Sequence, residues 1–309
     1  MSTTTPAMTR ALTIITGPTG AGKSALALAL AEAHGALLVS ADSRQIYRGF
    51  DVGTAKPTAA ERARVPHAGV DVADPTERWS AGRWAREATG WIAAAEAAGR
   101  PVIVCGGTGL WLRALVTPLA PVPDLPVGRR AALAAVLAVM PTAELRRWVV
   151  ALDPARAALG RAQLLRATEI ALLTGTRHGD ALAAAAPPPR AARWLVVDPG
   201  PVLEERLATR LRQMVADGWE EEVRACLETV PAEAPAWNAC GYREVREEVA
   251  AGRPIAGVLD RVRIATRQYA KRQRTWLRHQ LDGASVTRVE TVGVAARDTA
   301  FRWYEEGGR

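Results

Sequence analysis

Leu12-Thr-Ile-Ile-Thr-Gly17-Pro-Thr-Gly-Ala-Gly-Lys23-Ser24 decides the fold. Its first five residues are apolar or β-branched, and Gly17-Pro18 stops them, so Leu12 to Thr16 reads as a short buried strand. From about Lys23 to His34 the chain is rich in Ala and Leu and reads as a helix. Between them, Gly17, Pro18, Thr19, Gly20, Ala21, Gly22, Lys23 and Ser24 match G-x-x-x-x-G-K-[ST] in full. A strand before and a helix after are the context in which this spacing is a phosphate-binding loop. Its glycines let backbone N–H groups turn inward around phosphate oxygens, and the helix N-terminus adds positive potential. Lys23 brings a mobile point charge and Ser24 a hydroxyl for Mg²⁺. The loop specifies a diphosphate or triphosphate without choosing between them.

Working outward, Ala36 to Ala41, Pro101 to Cys105 and Arg193 to Val197 read as three more buried strands. A helix capped by Ser80 precedes the third strand, with Trp84, Ala88, Trp91 and Ala95 at helical spacing. Alternating strands and helices predict an α/β fold, a parallel sheet flanked by helices. The stretch from Asp124 to about Ala186 is Ala- and Arg-rich without strand signal and reads as a helical insertion. It ends in the linker Ala183–Pro189, where three prolines stop any helix. The expected organisation is a core over 11–123, the insertion over 124–189, and the rest of the core over 190–309. Further helices are expected at about Val202 to Asp217, Trp219 to Thr229, Tyr242 to Ala250 and Gly257 to Leu281.

A nucleotide hydrolase usually ends the strand beside its phosphate loop with an acid that helps hold Mg²⁺. Here the third strand runs through Cys105 into Gly106-Gly107-Thr108-Gly109, with no Asp or Glu. The acid follows the second strand instead, in Asp42-Ser43-Arg44-Gln45-Ile46-Tyr47. The carboxyl ends of neighbouring parallel strands share one crevice, so Asp42, Thr108 and the phosphate loop should converge. A carboxylate there can take a proton from an attacking nucleophile. Asp42 as a helix N-cap is the competing reading. Gly53-Thr-Ala-Lys56-Pro57 is readable as an ordinary surface turn.

The formal net charge is +8, and seven basic residues with no acid lie between Arg261 and Arg278. The rest of the chain is therefore near neutral, and one basic element points to a polyanionic partner. Arg263, Arg267, Lys271, Arg274 and Arg278 step by 4, 4, 3 and 4, which places them on one helical face. Arginine stripes suit phosphate backbones, and Tyr or Trp can stack on unpaired bases. A solvated charged face is the alternative. Of 40 Lys plus Arg only Lys23, Lys56 and Lys271 are lysine, so lysine is expected where a compact ammonium is needed. The three cysteines, Cys105, Cys226 and Cys240, and four histidines, His34, His67, His178 and His279, are too scattered for a disulfide framework or a zinc site. Met1 to Arg10 lacks an apolar signal core, and no run of about 18 apolar residues exists, so the expectation is a cytoplasmic protein without membrane spans.

Taken in order, GPTGAGKS, D-S-R-Q-I-Y, GTAKP, Pro66-His67, GGTGLW, Gly241-Tyr242-Arg243 and Ala265–Arg278 resemble the tRNA dimethylallyltransferases, over roughly Thr13 to Arg278. The resemblance implies a P-loop NTPase-like sheet whose helical insertion grips the anticodon stem-loop. It implies transfer of a dimethylallyl group from its diphosphate to N6 of adenosine 37, with Mg²⁺ and release of diphosphate, by a monomer. Asp42 resembles the general base, Thr108 the threonine near the adenine, and Arg210 an arginine on the diphosphate, beside Lys23. The segments matching tRNA contacts are Asp42, Ser43, Arg44 and Gln45 with Thr108; Asn238, Ala239, Cys240, Gly241, Tyr242 and Arg243; and Lys271, Arg272, Gln273, Arg274, Thr275, Trp276, Leu277 and Arg278, joined by Arg267 and, more loosely, Arg129. Asp153 to Arg166 departs from the family pattern: it is shorter, and Gln163 stands where an arginine is expected, leaving Arg166 as the matched base. A small-molecule or nucleotide kinase, using the loop as an ATP-binding motif, would share the loop and sheet but would not need the basic stripe.

Overall fold

The computed structural model describes residues 11–117, 127–177, 180, 188–290 and 293–307. The expected boundary at Asp124, most of the linker Ala183–Pro189, His178 and the segment Met1 to Arg10 lie outside the described residues.

The chain forms two compact units, Thr117–Pro189 and the remainder. In the larger unit the strands are β1 (Leu12–Thr16), β2 (Leu37–Ser40), β3 (His67–Ala68), β4 (Val102–Gly106), β5 (Ala192–Val197) and β6 (Val286–Val289). They make one sheet in the order β3-β2-β4-β1-β5-β6, and every pairing is parallel. The helices of this unit are α1 (Lys23–His34), α2 (Ala59–Arg64), α3 (Ala81–Ala97), α4 (Gly109–Val116), α8 (Leu203–Ala216), α9 (Trp219–Thr229), α10 (Tyr242–Ala250), α11 (Leu259–Gln280) and α12 (Val294–Glu306). The smaller unit holds α5 (Val127–Val139), α6 (Thr142–Leu152) and α7 (Arg161–Thr174). This is the P-loop NTPase-like architecture that the sequence implied. Its two short edge strands, β3 and β6, and the helix α12 were not legible there.

The sheet is buried on both faces because successive strand residues point to opposite sides. Ile14 belongs to the cluster with Val39, Val104, Trp84 and Trp111, whereas Ile15 belongs to the one with Leu30, Ile103, Leu195 and Trp303. Trp84 stacks on Trp111 with ring centroids 5.0 Å apart, and its indole N–H donates to the Ser40 carbonyl at 3.1 Å. That bond removes the cost of burying the one polar atom of Trp84. The Ser80 hydroxyl caps α3 by accepting the Arg83 N–H at 3.1 Å. The N–H of Arg190 donates to the Val116 carbonyl at 2.8 Å, so the chain leaves and re-enters the larger unit at adjacent points.

The smaller unit has its own core of Leu137, Leu145, Val149, Leu164 and Ala167. Arg161 donates to the carbonyls of Ala138 and Met140 at 2.8 and 2.7 Å, satisfying groups that the end of α5 leaves free.

Candidate active site

The turn from β1 into α1 builds the phosphate loop. Gly20 and Gly22 adopt φ of 77° and 94°, which only glycine takes without strain. A Cβ on Gly17 would sit 2.2 Å from the Val197 carbonyl oxygen, so the loop hugs the end of β5. No side chain caps α1, which leaves its first amides free to bind an anion. Arg206, on α8, donates from Nε to the Gly20 carbonyl at 2.9 Å and holds the loop from outside.

The loop opens on a cavity of about 720 Å³. Lys23, Asp42, Thr108 and Arg210 all line it, so the four residues expected to carry chemistry do converge. Burial lowers the Lys23 pKa, the Asp42 charge opposes that shift, and Arg210 lowers it a little further. Burial likewise lowers Arg210, and the Asp42 charge opposes that shift. One carboxylate thus faces two desolvated cations. Asp42 does not cap a helix: Oδ1 accepts the Arg44 N–H at 2.9 Å in a turn, and no α-helix begins there. The Thr108 hydroxyl accepts the Ser43 N–H at 3.1 Å, and the Thr108 N–H donates to the Ala41 carbonyl at 3.2 Å. Leu207, Leu211, Met214 and Trp219 give part of the wall an apolar surface. Tyr269 also lines the cavity. Burial raises its pKa to about 12, with the Asp42 charge adding to the rise.

Cys105 is the penultimate residue of β4, its thiol directed to the Lys23 carbonyl at 3.8 Å. Burial pushes that thiol up to about 11, so it stays protonated and is a poor ligand for a hard cation. The hard-oxygen donor at this point is the Ser24 hydroxyl, which is exposed and adjoins Cys105. Ser24 with phosphate oxygens and water is a donor set that suits Mg²⁺, which keeps several waters.

Lys56 is no surface residue. Its ammonium is buried, paired with Asp51 and with Asp71 at 2.6 Å, and donates to the Tyr47 carbonyl at 2.6 Å. It fixes a loop in which Ala55 takes a φ of 45°, unusual for a residue with a side chain. The Glu222 carboxylate accepts the N–H groups of Asp51 and Val52 at 2.6 Å each and the Tyr242 hydroxyl at 2.6 Å. Gly53 packs under Trp219, where a Cβ would lie 2.1 Å from the indole nitrogen. Glu222 and Arg206 were missed in the sequence because their partners lie 170 and 186 positions away.

The basic face of α11 is less bare than its sequence suggests. Arg274 makes a two-pronged pair with Asp198, Nε to Oδ2 at 2.9 Å, and reaches the Gly200 carbonyl at 2.6 Å. Arg267 and Arg263 both approach Glu204, at 3.2 and 3.7 Å. These acids come from elsewhere in the chain, so an 18-residue window without acid could not reveal them. Lys271 and Arg278 are exposed and have no ion pair among the described residues. Leu277 is buried in the core, and Gln273 points inward.

Other sites expected to meet RNA divide similarly. Arg44, Ser43, Asn238, Ala239, Cys240, Gly241, Arg243, Arg272 and Trp276 line the cavity. Tyr242 is fully buried, and Gln45 is turned to the Ser40 hydroxyl and the Thr54 and Ala55 carbonyls. Thr275 is exposed, its hydroxyl bonded back to the Lys271 carbonyl at 3.0 Å. In the smaller unit Arg129 and Gln163 are exposed, while Arg166 pairs with Glu169 at 2.9 Å.

On a parallel α/β sheet, a phosphate loop faces a carboxylate, a hydroxyl and two cations, an arrangement that can take a phosphate-bearing substrate. The family model for IPP transferase matches residues 45–280, and that for isopentenyl transferase matches 10–66. The chain belongs to the IPP transferase family. It is 42% identical over 278 residues to a tRNA dimethylallyltransferase of Phenylobacterium zucineum, covering 87% of this chain and 90% of that one. It is 41% identical over 290 residues to one of Halorhodospira halophila, covering 91% and 94%. Among solved structures, the tRNA isopentenylpyrophosphate transferase of Bacillus halodurans aligns with a TM-score of 0.68 and 29% identity, covering 97% of both chains. A eukaryotic dimethylallyltransferase acting on tRNA shares the fold, with a TM-score of 0.78 at 21% identity over 97% of this chain and 80% of that one. No helix among the described residues is long and apolar enough to cross a membrane.

Proposed function

We propose that this chain transfers the dimethylallyl group of dimethylallyl diphosphate to the exocyclic N6 of adenosine 37 in the anticodon loop of tRNA. The observation that carries this reading is the convergence of Asp42 and Thr108 with Lys23 and Arg210 in one cavity. The adenine amine is a weak nucleophile because its lone pair is delocalised into the ring. It must be held in line and lose a proton as the C–N bond forms. Asp42 takes that proton, and Thr108 positions the base. Negative charge grows on the departing diphosphate, where Lys23, Arg210 and the free loop amides stabilise it. Burial strengthens these interactions by excluding water, which also protects the allylic carbon from hydrolysis.

Mg²⁺, held by Ser24 and the diphosphate oxygens, would neutralise further charge on the leaving group. Lys271 and Arg278 meet the RNA backbone, and Arg129, Gln163 and Arg166 of the smaller unit grip the stem-loop. The protein would act as a monomer, and the three free cysteines suit a reducing cytoplasm.

The test is incubation with labelled dimethylallyl diphosphate and unmodified tRNA, with AMP and ATP as competing acceptors. Label should enter tRNA alone, and Lys23→Ala should abolish most of it. Phosphoryl transfer from ATP to a small acceptor would overturn the proposal in favour of a kinase.

A further inference from the structure

Resting on that reading, the geometry points to a role for Gln273 as a positioning residue that sets the distance between the donor and acceptor halves of the site. Gln273 lies on α11, the basic helix, yet its side chain is buried and turned away from solvent. Its Oε1 accepts the N–H of Thr19, in the phosphate loop, at 2.8 Å. Its Nε2 donates to the carbonyl of Gly107 at 2.9 Å. A backbone N–H needs an acceptor and a carbonyl needs a donor, so only one orientation of the amide satisfies both.

The two ends of this amide touch the two halves of the chemistry. Thr19 belongs to the loop that would hold the diphosphate. Gly107 immediately precedes Thr108, whose hydroxyl accepts the N–H of Ser43, next to Asp42. The Gln273 amide is therefore a spacer one side chain long between the leaving-group cradle and the proton-accepting pocket. Gly107 is fitted to it: a Cβ there would lie 2.4 Å from Nε2 and 3.0 Å from the Gly17 carbonyl oxygen. Lys271, two positions away, is exposed, so one stretch of helix carries an outward cation and an inward spacer.

A spacer of this kind acts on the bond-forming step more than on binding. Misplacing reacting atoms by about 1 Å can cost on the order of 10² in rate. The experiment combines single-turnover transfer at saturating donor and tRNA with titrations of inorganic pyrophosphate and a stem-loop RNA, and a melting curve. Gln273→Ala should slow the single-turnover step by about 10- to 100-fold and leave both affinities within about threefold of wild type. Gly107→Ala should slow the wild-type enzyme similarly but cost clearly less in the Gln273→Ala background, because the nearer of the two atoms it would strike is gone and only the Gly17 carbonyl oxygen remains. Should Gln273→Ala fail to fold, Gln273→Glu keeps the volume and the acceptor for Thr19 but loses the donor to Gly107. Its rate, read at saturating donor, should fall likewise. A wild-type rate in Gln273→Ala, or losses that multiply in the double variant, would overturn the positioning role. Absence of transfer by the wild-type enzyme in the same assay would instead overturn the prenyl-transfer reading.

Discussion

The two units are built from the same alanine- and arginine-rich vocabulary, yet they use it differently. In the larger unit arginines are fixed against specific acceptors: Arg206 on the Gly20 carbonyl, Arg274 on Asp198, Arg210 desolvated beside Asp42. In the smaller unit Arg161 closes the end of α5 and Arg166 pairs with Glu169, while Arg129 is exposed. The larger unit holds the cavity and a core on both sheet faces. The smaller has a core of five buried residues among those described and leaves Val139, Val136 and Val150 more than half exposed. The doubly covered sheet of the larger unit surrounds its cavity with side chains held against specific partners, whereas the described helices of the smaller unit present exposed charge.

The comparison can be broken at the catalytic centre. Asp42→Asn keeps the turn, because an asparagine oxygen can still accept the Arg44 N–H. It removes the proton acceptor, so single-turnover transfer should fall by about 10² to 10⁴ with little change in melting or substrate affinity. A rate within a few-fold of wild type would remove Asp42 from the mechanism.

In the smaller unit the expected loss is of stability. Leu145 is completely buried in its core, and Leu145→Ala should destabilise that unit by about 2–5 kcal/mol. Hydrogen exchange should show faster opening confined to α5–α7, with pyrophosphate binding unchanged. Weakened pyrophosphate binding would mean the two units are not energetically separate.

The smallest effect is expected on the outer face of α11. Lys271→Ala with Arg278→Ala removes two cations that have no ion pair among the described residues. The tRNA affinity should fall, and the slope of log K against log salt should flatten by about two units. Arg274→Ala should instead lower stability, because it removes the ion pair with Asp198 and one hydrogen bond to the Gly200 carbonyl. An unchanged slope in the double variant would show that this face is merely solvated.

The sequence by itself determined the phosphate loop, the four central strands, the helices from α8 to α11, and the meeting of Asp42 and Thr108 with Lys23. Each rests on short-range signals, namely a strand stopped by glycine, a helical period, or adjacent strand ends in a parallel sheet. Only the tertiary structure decided the fate of individual side chains. Lys56 reads as a turn residue in sequence and is a buried ion-pair centre in space. Arg274 reads as part of a bare stripe, but its acid lies 76 positions away. Gln273 reads as one polar residue in a basic helix, and its partners lie 254 and 166 positions off. Lys56 finds Tyr47, Asp51 and Asp71 within 15 positions, through a loop that no periodicity marks, whereas Arg274 and Gln273 share another physical reason. Period and composition fix which face of an element is apolar. Which polar group finds which partner depends on distant segments brought together by the sheet, and no local window contains that information.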